Sequence, residues 1–135
     1  MKASSKVRYA LYLMIDIARH QAEGPVPLRE VSLRQDISLK YLEQIARQLS
    51  KLGYLESVRG AQGGYRLARD PDAISAGDIM RASEGDFVSV ACLEHEAQEC
   101  PRQSNCCNIA AFWQGLSTSI YAYTDKVSLA ELAAD

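Results

Sequence analysis

The sequence predicts a mainly α-helical fold with a small β-hairpin wing: a winged helix-turn-helix domain followed by a long C-terminal dimerisation helix. Three observations lead there. Residues 37–67 read ISLKYLEQIARQLSKLGYLESVRGAQGGYRL, an amphipathic helix, a glycine stop and two short strand-like runs in that order. A short helical stretch and a tight turn at Asp36-Ile37 stand immediately ahead of it. Near the C-terminus a long apolar stripe recurs with helical period, more than one small domain readily buries.

Taken in order, Lys6 to Ala22 reads as the first helix, with Ser4 or Ser5 as its cap and Val7, Ala10, Leu11, Met14, Ile17 and Ala18 on its apolar face. Gly24-Pro25-Val26-Pro27 is a turn. Leu28 to Gln35 is a short second helix with Leu28, Val31 and Leu33 facing the core. Ser38 caps the third helix, because its hydroxyl can accept from a free N–H in the first turn. Leu42, Ile45, Leu49 and Leu52 form its buried stripe, and Gly53 ends it. Tyr54–Val58 and Gly64–Leu67 are the strands of the wing, and Arg59-Gly60-Ala61-Gln62-Gly63 is its flexible tip. Ser75, followed by Asp78, opens a fourth helix that runs to about Glu84 and breaks at Gly85-Asp86. Phe87–Val90 reads as a short extended link, and Cys92–Cys107 as a polar loop too poor in apolar residues to order itself by burial. Asn108 to Val127 is the long helix, its stripe made of Ile109, Phe112, Trp113, Leu116, Ile120, Tyr123 and Val127. Ser128 and Glu131 form a capping box for a short terminal helix.

Charge divides the chain. Residues 1–70 hold 12 lysines and arginines against 7 aspartates and glutamates, whereas residues 71–135 hold 3 against 10. The net charge of −2 therefore hides a basic half that contains the helix and wing. No apolar run approaches the roughly 20 residues of a membrane span, and Met1–Ala10 has no signal-peptide pattern, so the expectation is a cytoplasmic protein with no membrane partner. No Ser-His-Asp set, phosphate-binding glycine loop or HExxH motif points to an enzyme.

The polar face of the third helix presents Lys40, Tyr41, Gln44, Arg47 and Lys51. Ser38, Lys40, Tyr41 and Gln44 lie toward the N-terminal end, the part of a recognition helix that reaches base edges. Glutamine can pair bidentately with adenine, and lysine can reach guanine acceptors or phosphate. Arg59, with Gly60 beside it at the wing tip, suits a minor groove, where negative potential concentrates. The plainer reading is a solvated face beside a surface hairpin; helix, glycine stop and basic tip in sequence favour double-stranded DNA. Two half-sites read by a homodimer would give the long apolar stripe its partner.

The four cysteines, Cys92, Cys100, Cys106 and Cys107, fall within sixteen residues of the acidic half. Clustered thiols in a cytoplasmic chain point to metal or redox chemistry rather than structural disulfides. Thiolates with the nearby His95 suit an iron–sulfur centre. A metal-free thiol switch and a structural zinc site use the same residues, though the spacings do not fit common zinc-finger rules. An iron–sulfur electron carrier is a further alternative, but it has no use for a basic reading helix.

SKVRYAL near the start, GPVPLREVSLRQDISLKYLEQIARQL, the wing VRGAQGGYRLAR, the cysteine loop and the helix containing FW together resemble the IscR/NsrR/CymR family of bacterial winged-helix regulators. The resemblance spans nearly the whole chain. It implies a homodimer on an imperfect promoter palindrome, with Ser38, Tyr41, Glu43 and Gln44 facing the major groove and Arg59 entering the minor groove. It also implies a 2Fe–2S cluster held by three cysteines: Cys92, Cys100 and Cys106, with Cys107 as the alternative third ligand. The histidine that some members carry three residues past the third cysteine is absent here, as is the first-helix acidic ligand of others. His95, Glu94, the spare cysteine or a partner-chain residue remain as the fourth ligand. The expected organisation is a DNA-binding domain over 1–84, a cysteine-containing sensor loop over 85–107, and a dimerisation helix with C-terminal tail over 108–135. The resulting expectation is a dimeric transcriptional regulator controlled by the cluster, with a thiol switch or a partner-controlled regulator as the alternative.

Overall fold

The computed structural model describes residues 2–85 and 109–134. The expected link at Phe87–Val90 and the cysteine loop lie outside the described residues. The helices are α1 (Ser5–His20), α2 (Leu28–Gln35), α3 (Leu39–Lys51), α4 (Ala76–Glu84), α5 (Ala110–Thr124) and α6 (Leu129–Ala133). Two strands, β1 (Leu55–Val58) and β2 (Gly64–Leu67), pair antiparallel with Leu55 opposite Leu67 and Val58 opposite Gly64.

Local chemistry explains most boundaries. Ser4 accepts from the Val7 N–H and caps α1. The helix stops at His20, two residues short of the expected Ala22, and tightens into a 3₁₀ turn over Gln21–Glu23. Asp36 takes the left-handed conformation at φ 52° that turns α2 into α3. Ser38 caps α3 by accepting from the Tyr41 N–H. At the other end Gly53 adopts φ 84°, the Gly53 N–H bonds Ser50 O, and the Tyr54 N–H reaches back to Leu49 O at 2.9 Å. That pair of bonds is a Schellman motif, and it sets the direction in which the wing leaves the helix. Capping boxes open α4 (Ser75 with Asp78) and α6 (Ser128 with Glu131), as the serine-to-acid spacings predict.

The core gathers Ala10, Leu13, Met14 and Ile17 of α1, Val31 of α2, Leu42, Ile45 and Leu49 of α3, Leu55 of the wing, Ile79 of α4 and Leu129 of α6. The terminal helix is thus built into the same core as α1, and backbone bonds from Ala76 N to Val127 O and from Leu129 N to Ile74 O tie it to the start of α4. Two expected core residues are not buried. Leu33 is 78% exposed, because it lies about 140° around α2 from Leu28 and about 160° from Val31, on the opposite side of the helix. Leu52 is 49% exposed, because it is the C-cap, where the helical period no longer aims side chains at the core. Leu13, absent from the expected stripe, is fully buried.

Along α5 only Thr124 is buried. Ile109, Phe112 and Tyr123 are more than half exposed, and Phe112 meets Trp113 edge-on at 5.1 Å. The helix ends at Thr124 rather than Val127.

Candidate nucleic-acid interface

The third helix turns one face into the core and leaves the other open. Leu42, Ile45, Ala46 and Leu49 are buried, whereas Ser38, Lys40, Glu43, Gln44, Arg47 and Lys51 are exposed. Lys40, Gln44, Arg47 and Lys51 follow one another at intervals of three and four residues, so their side chains share one ridge. Lys40, Glu43, Gln44 and Arg47 form no hydrogen bond or ion pair with another described residue, so their polar groups are available to a ligand. Tyr41 is half-buried and stands on Tyr9 of α1, ring centroids 5.5 Å apart and planes at 87°. That edge contact fixes the direction of the ring. Arg8, near the start of α1, lies 5.8 Å from the Tyr9 ring centre and donates to Ser5 Oγ.

A two-stranded hairpin alone is marginal in water, so the wing needs an anchor. It has a backbone one: Val26 in the α1–α2 turn and Tyr65 exchange N–H···O bonds of 2.8 Å in both directions. The Gln21 side-chain oxygen accepts from the Leu67 N–H at 2.9 Å, and Arg69 stacks over Tyr54 at 4.5 Å. Gly64 is required by the first of these contacts, since a Cβ there would run into the Val26 carbonyl. Across the strands Arg66 pairs with Glu56 at 2.8 Å. Beyond this fastened root, Arg59 and Gly60 are exposed at the tip, with Gly60 at φ 115°. Arg59, too, has no bonded partner among the described residues.

Behind the surface lies a feature that no sequence period announces. Asp16 of α1 is buried and takes a two-pronged contact from Arg34 of α2, Nε to Oδ2 at 3.0 Å and Nη2 to Oδ1 at 2.7 Å. Gln35 adds a bond of 2.9 Å, and the His20 ring nitrogen lies 2.8 Å from the Asp16 main-chain oxygen. Burial by itself would raise the Asp16 pKa, but the hydrogen bonds from Arg34 and Gln35 and the charges of Arg34 and His20 outweigh it and hold the carboxyl below its ordinary value. The network locks α2 at a fixed angle to α1. His20 is the last residue of α1, where a basic side chain suits the helix dipole.

Of the candidate residues, the structure brings Ser38, Lys40, Tyr41, Glu43 and Gln44 together on the first turns of α3 and places Arg59 and Gly60 on the wing that follows. Arg47 and Lys51 continue the same ridge and belong with the site. The candidate metal ligands Cys92, Cys100, Cys106, Cys107 and His95 lie outside the described residues. Among the described residues no group of three or more His, Cys, Asp or Glu side chains gathers as metal ligands. Nor is any described helix long and apolar enough to cross a membrane.

Comparison with known proteins agrees with this architecture. The chain is 43% identical over 135 residues to the HTH-type transcriptional regulator IscR of Aliivibrio salmonicida, covering 100% of this chain and 79% of the relative. Among solved structures, CymR (YrzC), titled the global cysteine regulator of B. subtilis, superposes with a TM-score of 0.83 at 34% identity, covering 100% of this chain and 99% of that one. The IscR of T. potens gives 0.75 at 37% identity, over 98% of this chain and 85% of that one. These relatives are regulators, not enzymes. Residues 3–135 match the family described as Rrf2, iron-dependent transcriptional regulator. With winged-helix relatives at this level of identity and a family match over nearly its whole length, the chain belongs to the Rrf2 family of transcriptional regulators.

Proposed function

We propose that the protein is a homodimeric regulator that binds palindromic promoter DNA, with affinity set by a cysteine-ligated iron–sulfur cluster of the 2Fe–2S type. The observation that carries this reading is the joining, in one chain, of a free basic reading ridge and wing to a segment with four thiols in sixteen residues. Lys40 and Gln44 supply donors to base edges, Tyr41 and Ser38 flank them, and Glu43 can accept from a cytosine amino group. Arg59, with Gly60 allowing the tight tip, enters the adjacent minor groove. In this division residues 1–84 bind DNA, 85–107 sense, and 108–135 pair with a second chain through the exposed apolar residues of α5.

The donor set fits the group. Thiolates are soft ligands that hold iron–sulfur clusters, and Cys92, Cys100 and Cys106 provide three, with Cys107 as the alternative third and His95 available as a fourth ligand. When bound, such a cluster would supply a redox-active centre held by these side chains. The test is anaerobic purification with an absorption spectrum and iron and sulfide analysis. About two of each per chain, with visible bands lost on Cys92→Ala, is the expected result for a 2Fe–2S centre.

One observation favours a second reading. Cys106 and Cys107 are adjacent and do not readily ligate one iron together, which leaves a thiol free for disulfide exchange or oxidation. Colourless protein after anaerobic reconstitution would move the assignment to a metal-free thiol switch or a partner-controlled regulator.

Arg59→Ala is expected to weaken operator binding, most at sites whose flank under the wing offers a narrow minor groove, and to lessen its salt dependence. Its melting temperature and any visible absorbance should match the parent. Filter binding across a salt series, beside a thermal melt, checks this; loss of cooperative folding would mark Arg59 as structural.

A further inference from the structure

The last turn of α4 is held by the recognition helix. Gln48 of α3 donates from Nε2 to Ala82 O at 2.8 Å and to Ser83 O at 3.3 Å. These carbonyls belong to the final turn of α4, where no intrahelical N–H remains to serve them. Among the described residues no other side-chain hydrogen bond joins α3 to α4. The same turn is fastened to its other neighbours: Glu84 accepts from Ser4 Oγ at 2.6 Å, and Arg81 reaches Asp125 at the end of α5 at 2.8 Å and lies 5.4 Å from the Tyr121 ring. Gly77, one turn earlier, has no room for a Cβ beneath Asp125 and Thr124. α4 is therefore gripped on one side by α3 and on the other by α5.

The position of Gln48 gives this contact a direction. Lys40, Gln44 and Gln48 are spaced by four residues, so they line successive turns of α3. Two of them belong to the reading surface, and the third holds the end of α4. Directly after that end, at Gly85, the chain runs on toward the cysteines and returns at Ile109. A displacement of the α4 terminus bears on the Ala82 and Ser83 carbonyls and passes to α3 through the Gln48 amide, beside the apolar packing of Ile79 and Ala82 in the shared core. Base contacts need donor–acceptor distances of about 2.7–3.2 Å, so a shift of roughly 1 Å at Gln48 is enough to spoil them.

We propose that Gln48 is a positioning residue that couples the cysteine segment to the reading surface by registering α3 on the end of α4. This deepens the sensor reading above and rests on it. A purely structural Gln48 would stabilise the fold equally in every state of the cysteines, whereas a coupling residue carries the difference between states.

The experiment uses the full chain in two states: reconstituted anaerobically with iron and sulfide, and with its thiols blocked by iodoacetamide. The probe is a duplex selected by the parent protein from a random pool. Two quantities are read: the ratio of dissociation constants between the states, and hydrogen exchange of the α3 amides in each. The parent should show a ratio of at least about tenfold, within the usual range of allosteric coupling, and state-dependent exchange in α3. Gln48→Met keeps the length and removes the donor; its ratio should fall to within about twofold of unity, with normal absorbance and cooperative melting. Gln48→Glu, which sets a carboxylate against the carbonyls, should do the same and serves if the methionine variant fails to fold. Gln48→Lys restores donation to a helix C-terminus and should keep most of the ratio. A ratio preserved in the methionine or glutamate variant, even with both affinities weakened, overturns the proposal, as does a lysine variant that loses it. A parent with equal affinity in both states overturns the sensor reading itself, visibly before any variant is compared.

Discussion

Asp16→Asn would keep the shape of a buried side chain and remove its charge, leaving the Arg34 guanidinium with only the exposed Glu30, 3.4 Å away, as counter-ion where α1 meets α2. Breaking such a pair costs about 3–5 kcal/mol when both groups are buried; because Arg34 keeps contact with water, about 2 kcal/mol is the expected loss in urea unfolding at neutral pH. The sign of its pH dependence follows from the carboxyl being held below its ordinary value of 3.8. The stabilisation is complete above that value and is lost as pH falls toward the folded-state pKa. The parent and Asp16→Asn should therefore converge in stability below pH 3.8, and a gap that widens in acid would contradict the pairing. Gly64→Ala tests a different contact. The added methyl meets the Val26 carbonyl, and overpacking of this kind costs roughly 1–3 kcal/mol. Its melt should shift accordingly, with DNA binding weakened through the displaced wing. Neither contact was legible in the sequence. A lone aspartate on an otherwise apolar helix face looks like a break in the pattern, and its partner lies eighteen residues away on another helix. Gly64 reads only as the first residue of a strand, and the approach of Val26 shows why a side chain is excluded there.

At the level of elements, the sequence carries α3, the wing and α4 well, because their boundaries are set by short-range chemistry. Serine caps, an acid three residues on and a glycine stop act within one turn. Gly53→Ala should cost about 1 kcal/mol, since it forces a Cβ into the left-handed region at φ 84°. Ser75→Ala should cost a similar amount by removing half of the α4 capping box, and a calorimetric melt would show each as a drop of a few degrees. The errors have equally local causes. Leu33 is apolar but stands off the buried arc of α2, and Leu52 keeps the helical period but falls at the C-cap, beyond the last turn that packs on the core. Leu13 was missed because the α1 stripe is wide enough to bury both Leu13 and Met14. The third strand-like segment, Val26 against Tyr65, is hidden inside a Gly-Pro-Val-Pro turn, where two prolines suggest only punctuation.

For the whole molecule, α5 presents Ile109, Phe112 and Tyr123 to solvent while its end is fixed to α4 by Asp125 and Arg81. A second copy is the proposed cover for these residues. Phe112→Glu should place a charge in that contact and halve the mass seen by sedimentation, from about twice 14.9 kDa to a single chain, without lowering the melt of the helix-wing core. An unchanged dimer would place the interface elsewhere. The asymmetry of charge was legible from the order of charged residues along the chain, and the likeness to winged-helix regulators from its motifs. The return of α6 onto α1 was not: a five-residue capped segment gives no sign of where it docks, although Leu129 ends up fully buried.

The backbone pairing of Val26 with Tyr65 fastens the root of the hairpin to the helical body. For a DNA ligand that fastening acts as a caliper. If Arg59 enters the minor groove as proposed, the fastened root limits the span from Lys40 and Gln44 to the wing tip, and the duplex would have to offer a narrow groove within that reach or bend to do so. Flanking sequence that no side chain touches would then be discriminated through its stiffness and groove width, and replacing an A-tract under the wing by G·C pairs should weaken binding without altering a single base contact.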